Sequence, residues 1–316
     1  MHDSTASRKM EQTIVIPPES PCVCGSGKEF GACHLVDGKI NFPPSDVTPL
    51  PKPQTRFRKN GCLFSKFNDC NDKLSGDHFL SETVLKAIAE KKIRFSGPKY
   101  SGDVPIYSTT LKSKVMCVRH NNALNRIDTE AGRLIRALQL IDKDLASAEA
   151  KSQKLHLFNG NDIERWMLKT HLTSFYGNIT SVGPKTHTIN PELVDLFVPR
   201  DWPKPYGFYF QARNESGGVL GIPLENRVEF GLITDGKVVS GINIGFLGFT
   251  FTLMVNGIPQ HIHQFMANSE YRPTFVSFFS GEKIRHIGFL WGSNRGNRIE
   301  ISRNDPNAAM PTDRYI

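Results

Sequence analysis

The chain reads as an α+β, multi-domain protein, and three observations carry that reading. Cysteines and a histidine crowd into one short stretch before residue 35. From about residue 127, apolar side chains recur every three to four positions, the period of a helix face. After about residue 195, short aromatic and β-branched runs alternate with glycine-bearing turns, the pattern of strands. With 316 residues there is room for two domains, or for one large domain with appendages.

Residues 1–20 are polar, end near a proline pair and read as a flexible lead-in. Residues 21–35, PCVCGSGKEFGACHL, read as a compact knuckle. Residues 36–59 read as a Pro-rich linker, with five prolines in NFPPSDVTPLPKPQTR favouring an extended chain. A second cysteine-bearing segment spans 60–127, and ETVLKAIAEKK within it has helical character. The segment 128–195 reads as helical. Ile127, Ala131, Leu134, Leu138, Ile141 and Leu145 line one helix. Asn161 is expected to cap a second helix, with Glu164 closing a capping box and Ile163, Trp166, Met167 and Phe175 forming its buried stripe. In 196–316, the runs FYFQAR, RVEFGLI, KVVSGINIGF and FTFTLMV, with the turn pairs Asp235-Gly236 and Asn256-Gly257, predict an antiparallel β domain, open sheet or barrel. The polar stretch from about Ser293 reads as irregular.

Charge and hydropathy bound the partners. The formal net charge of +8 suits a nucleic-acid partner, although it speaks to association and not to fold. No run of eighteen apolar residues occurs, so no membrane partner is expected. The first twenty residues lack the apolar core of a signal peptide, which predicts a cytoplasmic protein with reduced thiols. On that basis the six cysteines are better read as metal ligands than as disulfides.

The first cluster is Cys22-x-Cys24, eight residues, then Cys33-His34. Three thiolates and one imidazole are a standard tetrahedral zinc set. Gly25-Ser26-Gly27 allows a tight turn around the ion, and a segment this short would depend on the metal for its stability. The stretch closely resembles the SEC-C zinc motif, with Val23 and Gly31-Ala32 as departures that touch no ligand. The resemblance implies docking to a partner protein or to nucleic acid.

The remaining cysteines are Cys62, Cys70 and Cys117. The two-residue gap in Cys117-Val-Arg-His120 lets two ligands grip one ion from a turn, and Cys62 and Cys70 would complete a second three-Cys, one-His site. The seven-residue gap between Cys62 and Cys70 is loose for a zinc pair, so inert buried thiols are the competing reading. SGDHFLSETVL followed by VMCVRHNNALNRID resembles the HNH endonuclease superfamily. That resemblance implies a ββα-metal, treble-clef-like module over 60–127, with structural Zn²⁺ at one or two sites and a catalytic Mg²⁺ or Mn²⁺. It also implies catalytic roles: His78 as general base, and Asp77 and Asn121 as ligands of the catalytic ion. Such a centre would hydrolyse phosphodiesters, in DNA by family association, with a role in restriction or defence.

Two departures stand against this. No Asn lies between His78 and Cys117 to orient the base, leaving Ser108, Thr109 or Thr110 as substitutes, and the spacer between the two halves is long. The alternative is a non-catalytic zinc scaffold that binds nucleic acid or a partner protein. Burial of His78 away from Asp77 and Asn121 would favour it.

Lys91, Lys92, Arg94, Lys112, Lys114 and Arg119 form a candidate nucleic-acid-binding set beside this centre, and Lys52, Arg56, Arg58 and Lys59 precede it. His261 and His263, alternating on an expected strand, could join His286 at a metal, though surface histidines explain them better. Trp202, Tyr206, Tyr209 and Phe210 suit either base stacking or core packing. Homo-oligomerisation is left open.

Overall fold

The structure is a computed structural model. It describes residues 18–19, 22, 27–36, 39–40, 55–88, 92–97, 100–107, 112–147, 154–179, 187–198, 202–212, 227–291 and 298–302. Most of the lead-in, Cys24, Gly25-Ser26, linker residues 41–54, Lys91 and Ser108–Thr110 lie outside these, as do the side chains of Asp77 and Lys92. The architecture is mixed α and β, divided into two compact units, Met1–Phe42 and Pro43–Ile316.

In the smaller unit a short helix, α1 (Phe30–His34), leads into two antiparallel strands, β1 (Leu35–Val36) and β2 (Lys39–Ile40). Phe30 is buried with its ring 5.9 Å from that of His34. Gly31 is required sterically: a Cβ there would come within 2.7 Å of Pro18, whose carbonyl accepts the Gly31 N–H at 2.7 Å.

The larger unit begins with β3 (Leu74–His78), α2 (Glu82–Ile88), β4 (Lys92–Gly97), β5 (Tyr100–Tyr107) and β6 (Lys112–Cys117). Helices α3 (Val118–Ala123) and α4 (Asn125–Ala146) follow, then β7 (Lys154–Asn159) and α5 (Gly160–Tyr176). The remaining elements are β8 (Gly207–Ala212), β9 (Arg227–Asp235), β10 (Val238–Phe246), β11 (Phe249–Met254), α6 (His263–Ala267), β12 (Glu270–Tyr271), β13 (Phe275–Ser280), β14 (Lys283–Leu290) and β15 (Arg298–Ser302).

The sheets are open. One has seven strands in the order β12-β8-β11-β10-β9-β4-β5, one has four in the order β15-β13-β14-β7, and β3 pairs with β6 alone. The four aromatic runs of the sequence become β8 to β11. The β9–β10 hairpin turns at Gly236, where φ is +57°. The expected purely antiparallel domain is corrected, because β4 pairs with β9, β13 with β15 and β14 with β7 in parallel. Two of these pairings bring in β4 and β7 from outside the β-rich segment, and the third joins β15 to β13 within it, so no local run could announce them. One apolar core, from Cys62 to Trp291, runs through the three segments read from the sequence. The tail after Ser293 is not wholly irregular: β15 joins the smaller sheet there.

The six apolar positions read as a helix face from Ile127 to Leu145 are all buried on α4. α5 departs from expectation. Its cap is Asn159, whose side chain accepts from the Asp162 N–H, and not Asn161. It also has no single buried stripe. Every residue from Gly160 to Phe175 is buried, because α5 contacts strands of both large sheets as well as α4. A helix buried all round is normally apolar. Here its charges carry partners, as buried charges must. Glu164, expected in a capping box, instead takes Arg272 in a bidentate pair at 2.9 and 2.7 Å and accepts the Phe208 N–H at 2.8 Å. Among the described residues no helix is long and apolar enough to cross a membrane.

Candidate metal centre

The larger unit brings Cys62, Cys70, Cys117 and His120 into one buried metal-binding cluster. Three parts of the chain deliver them. Cys62 and Cys70 flank a 3-10 turn (Ser65–Phe67) that ends at Asn68 in the left-handed conformation. That turn folds the seven-residue gap back on itself, so the spacing that looked loose is closed by local geometry. Cys117 ends β6 and caps α3, accepting the His120 N–H, which places His120 one turn on. Phe64 stacks on the His120 ring with centroids 5.0 Å apart and fixes its orientation.

The imidazole presents one nitrogen to all three sulfurs. His120 Nδ1 lies 3.6 Å from Cys62 Sγ, 3.7 Å from Cys70 Sγ and 3.0 Å from Cys117 Sγ. Zinc–sulfur and zinc–nitrogen bonds at a tetrahedral centre imply S···N edges of about 3.6 Å. The Cys62 and Cys70 separations match that edge and the Cys117 one is shorter, so the donor set fits a zinc ion bound through Nδ1 with Cys117 relaxing outward on binding. Burial pushes the Cys62 thiol up to about 12 and raises Cys70, while burial pulls His120 down to about 4. The imidazole is therefore neutral, as a ligand must be, and a cation is what would make thiolates tolerable there. Backbone N–H donation from Cys117 to Cys62 Sγ at 3.3 Å assists.

Arg119, expected on a phosphate-binding surface, instead pairs with Asp69 at 3.0 Å. Burial opposes ionisation of Asp69, but the Thr55 N–H and Arg119 outweigh it and hold the carboxyl below its usual range. In the smaller unit Cys22, Cys33 and His34 converge into a second cluster, with Cys22 and His34 buried.

The residues that the HNH resemblance singled out sit on β3 and α3. The strands pair antiparallel, Asp77 opposite Ser113 and His78 opposite Lys112. His78 is buried. Lys86 holds the Glu82 carboxyl below its usual range, with smaller contributions from His78 and Lys112, so these charges share one neighbourhood. Asn121 is engaged elsewhere. Its Nδ2 donates to Ser75 Oγ at 3.2 Å, and its Oδ1 lies 3.4 Å from the Lys169 ammonium, which donates to Asp128 at 2.7 Å. The Lys169 side chain is 1% exposed, and the sequence reading passed over it. Its signal was a lysine amid the apolar positions of α5. Among the described residues, His78 joins no group of potential metal ligands.

Of the basic set, Arg94, Lys112 and Lys114 are exposed. His261 and His263 fall on a 3-10 turn and α6, not on a strand, and His286 is buried against Ser277, so the three form no metal group among the described residues. Trp202, Tyr209 and Phe210 are buried and Tyr206 packs partly buried against the core, so these aromatics are core packing and not a stacking platform.

The SEC-C motif family matches residues 20–35, the stretch that holds the smaller cluster. No curated protein and no solved structure matches the chain.

Proposed function

We propose that this protein is a zinc-organised, non-catalytic scaffold that binds nucleic acid. The observation that carries the reading is the buried Cys62, Cys70, Cys117 and His120 cluster, in which the Cys62 and Cys70 sulfurs stand from the His120 nitrogen at the separation tetrahedral zinc wants. It joins the chain around Cys62–Cys70 to the end of β6 and the start of α3, so the ion serves the fold. The Lys169 ammonium beside Asn121 supports the non-catalytic side. A cation already lies against the oxygen that a second metal would need, and His78 is buried. The SEC-C stretch adds a second zinc and a docking knuckle, with Cys24 as its fourth ligand.

One observation favours the runner-up, a metal-dependent DNA endonuclease. β3, β6 and α3 follow the order of a ββα-metal module, with Asp77-His78 ending the first strand and the Cys117 to His120 pair opening the helix. The experiment that separates the two is elemental analysis together with incubation on supercoiled plasmid. Two zinc ions per chain and intact plasmid in Mg²⁺ or Mn²⁺ are expected. Metal-dependent nicking that a folded His78→Ala variant loses would replace the scaffold with the enzyme.

A further inference from the structure

The segment just before the larger cluster has an unusual surface. Phe57 is 43% exposed and is the one exposed phenylalanine among the described residues. Arg56 and Arg58 on either side are exposed too, and Lys59 is half-buried. No ion pair engages these three cations among the described residues, and no acidic residue occurs from Thr55 to Asn68. The nearest buried acid, Asp69, is committed to Arg119 and to the Thr55 N–H.

The segment is held in shape by the metal cluster's own backbone. The Thr55 hydroxyl donates to the Cys70 carbonyl at 2.6 Å, and the Cys70 N–H donates to the Phe57 carbonyl at 2.8 Å. The Cys62 N–H donates to the Lys59 carbonyl at 3.1 Å. Two ligands of one cluster thus pin both ends of Phe57–Lys59. The Leu63 N–H donates to the Val115 carbonyl, which runs the chain beside β6 next to the exposed Lys114.

An apolar ring kept in water between exposed cations, on a backbone fixed in advance, suits a ligand with alternating flat apolar faces and negative charges. Nucleic acid has that chemistry, and only an unpaired strand leaves its base faces open to a ring. We infer that Arg56, Phe57, Arg58 and Lys59 form a single-strand nucleic-acid binding loop. Phe57 stacks on a base and the cations take the flanking phosphates. The inference rests on the scaffold reading and names its ligand class and its contact site. The cluster then has a binding role besides a folding one, since it sets the loop's shape.

The test uses the full chain, zinc content measured on each preparation, and fluorescence anisotropy with a labelled oligothymidylate, the matching duplex, and an oligoglutamate competitor. Stacking contributes about 1–3 kcal/mol per base, so Phe57→Ala should weaken single-strand binding about fivefold or more, with Phe57→Trp restoring it. The double variant Arg56→Gln/Arg58→Gln should lower the salt dependence by about one and a half in log–log slope. The duplex should bind more weakly and ignore Phe57→Ala. Equal binding of wild type and Phe57→Ala to the oligothymidylate, at unchanged zinc content, would overturn the inference. So would displacement by oligoglutamate at matched charge, which would make the loop a site for acidic peptides. Failure of the scaffold reading shows separately, as missing zinc or as plasmid cleavage.

Discussion

The two Cys/His clusters draw on the same ligand chemistry and are assembled in opposite ways. In the smaller unit Cys22, Cys33 and His34 all fall inside one short matched stretch, residues 20–35, and the motif around them is a recognisable string. In the larger unit Cys62 and His120 are 58 residues apart and meet only because β3 pairs with β6 and a 3-10 turn closes the Cys62–Cys70 gap. A contiguous cluster is a property of spacing, whereas a discontinuous one is a property of the fold. The first should be able to lose its ion without consequence for the rest, and the second should not.

Ligand replacement tests that contrast most severely. Cys117→Ser should lower zinc by one ion per chain and abolish cooperative unfolding of the larger unit, since structural zinc in small domains contributes on the order of 10 kcal/mol. Cys33→Ser should also lower zinc by one ion, yet leave the main thermal transition seen by circular dichroism in place. A normal melt for Cys117→Ser would mean that the buried thiols are inert packing.

The share of the larger unit's stability that belongs to its core and not to its metal can be read from α5. Arg272→Met leaves the Glu164 carboxylate buried without its cation and should cost about 3–5 kcal/mol in urea unfolding. Adding Glu164→Leu should recover part of that loss. No recovery would mean that the pair is essential for the packing of α5 and not merely tolerated.

Next in size is a pH effect at His171, which is fully buried and whose ring nitrogens find no hydrogen-bond partner among the described residues. Burial lowers it to about 3. The folded imidazole therefore stays neutral while the unfolded one takes a proton below about 6.5. Its contribution is complete above that value and falls as pH drops toward 3, by about 1.4 kcal/mol per pH unit. Unfolding midpoints from pH 7 to 4 should flatten in His171→Leu relative to wild type. The smallest effect separates two asparagines on either side of Gly160: Asn159→Ala should cost about 1 kcal/mol by removing the helix cap, and Asn161→Ala distinctly less.

Much of this was legible beforehand. The α4 stripe and the four strands β8 to β11 follow from periodicity, because one-sided burial imprints its period on the sequence. α5 was misread for the same reason. A helix enclosed on every side has no polar face, so its four expected stripe residues were only part of its buried surface. Its cap was placed two residues late because Asn159 and Asn161 are both competent, and only the course of β7 into α5 decides between them. The turn that closes Cys62 to Cys70 was invisible as well, since a left-handed Asn68 leaves no mark in ligand spacing.

By itself the sequence determined the contiguous knuckle and the helices and strands with one wet face, because local spacing and alternation are written in the order of residues; for the second set of Cys and His it offered candidates only. The tertiary structure decided the rest. It made one core of three segments, placed Lys169 against Asn121, committed Arg119 to Asp69 and held Phe57 in water between Arg56 and Arg58. Each of these depends on which distant groups meet, and the energies that choose among such meetings are set by burial, which one-dimensional order does not encode.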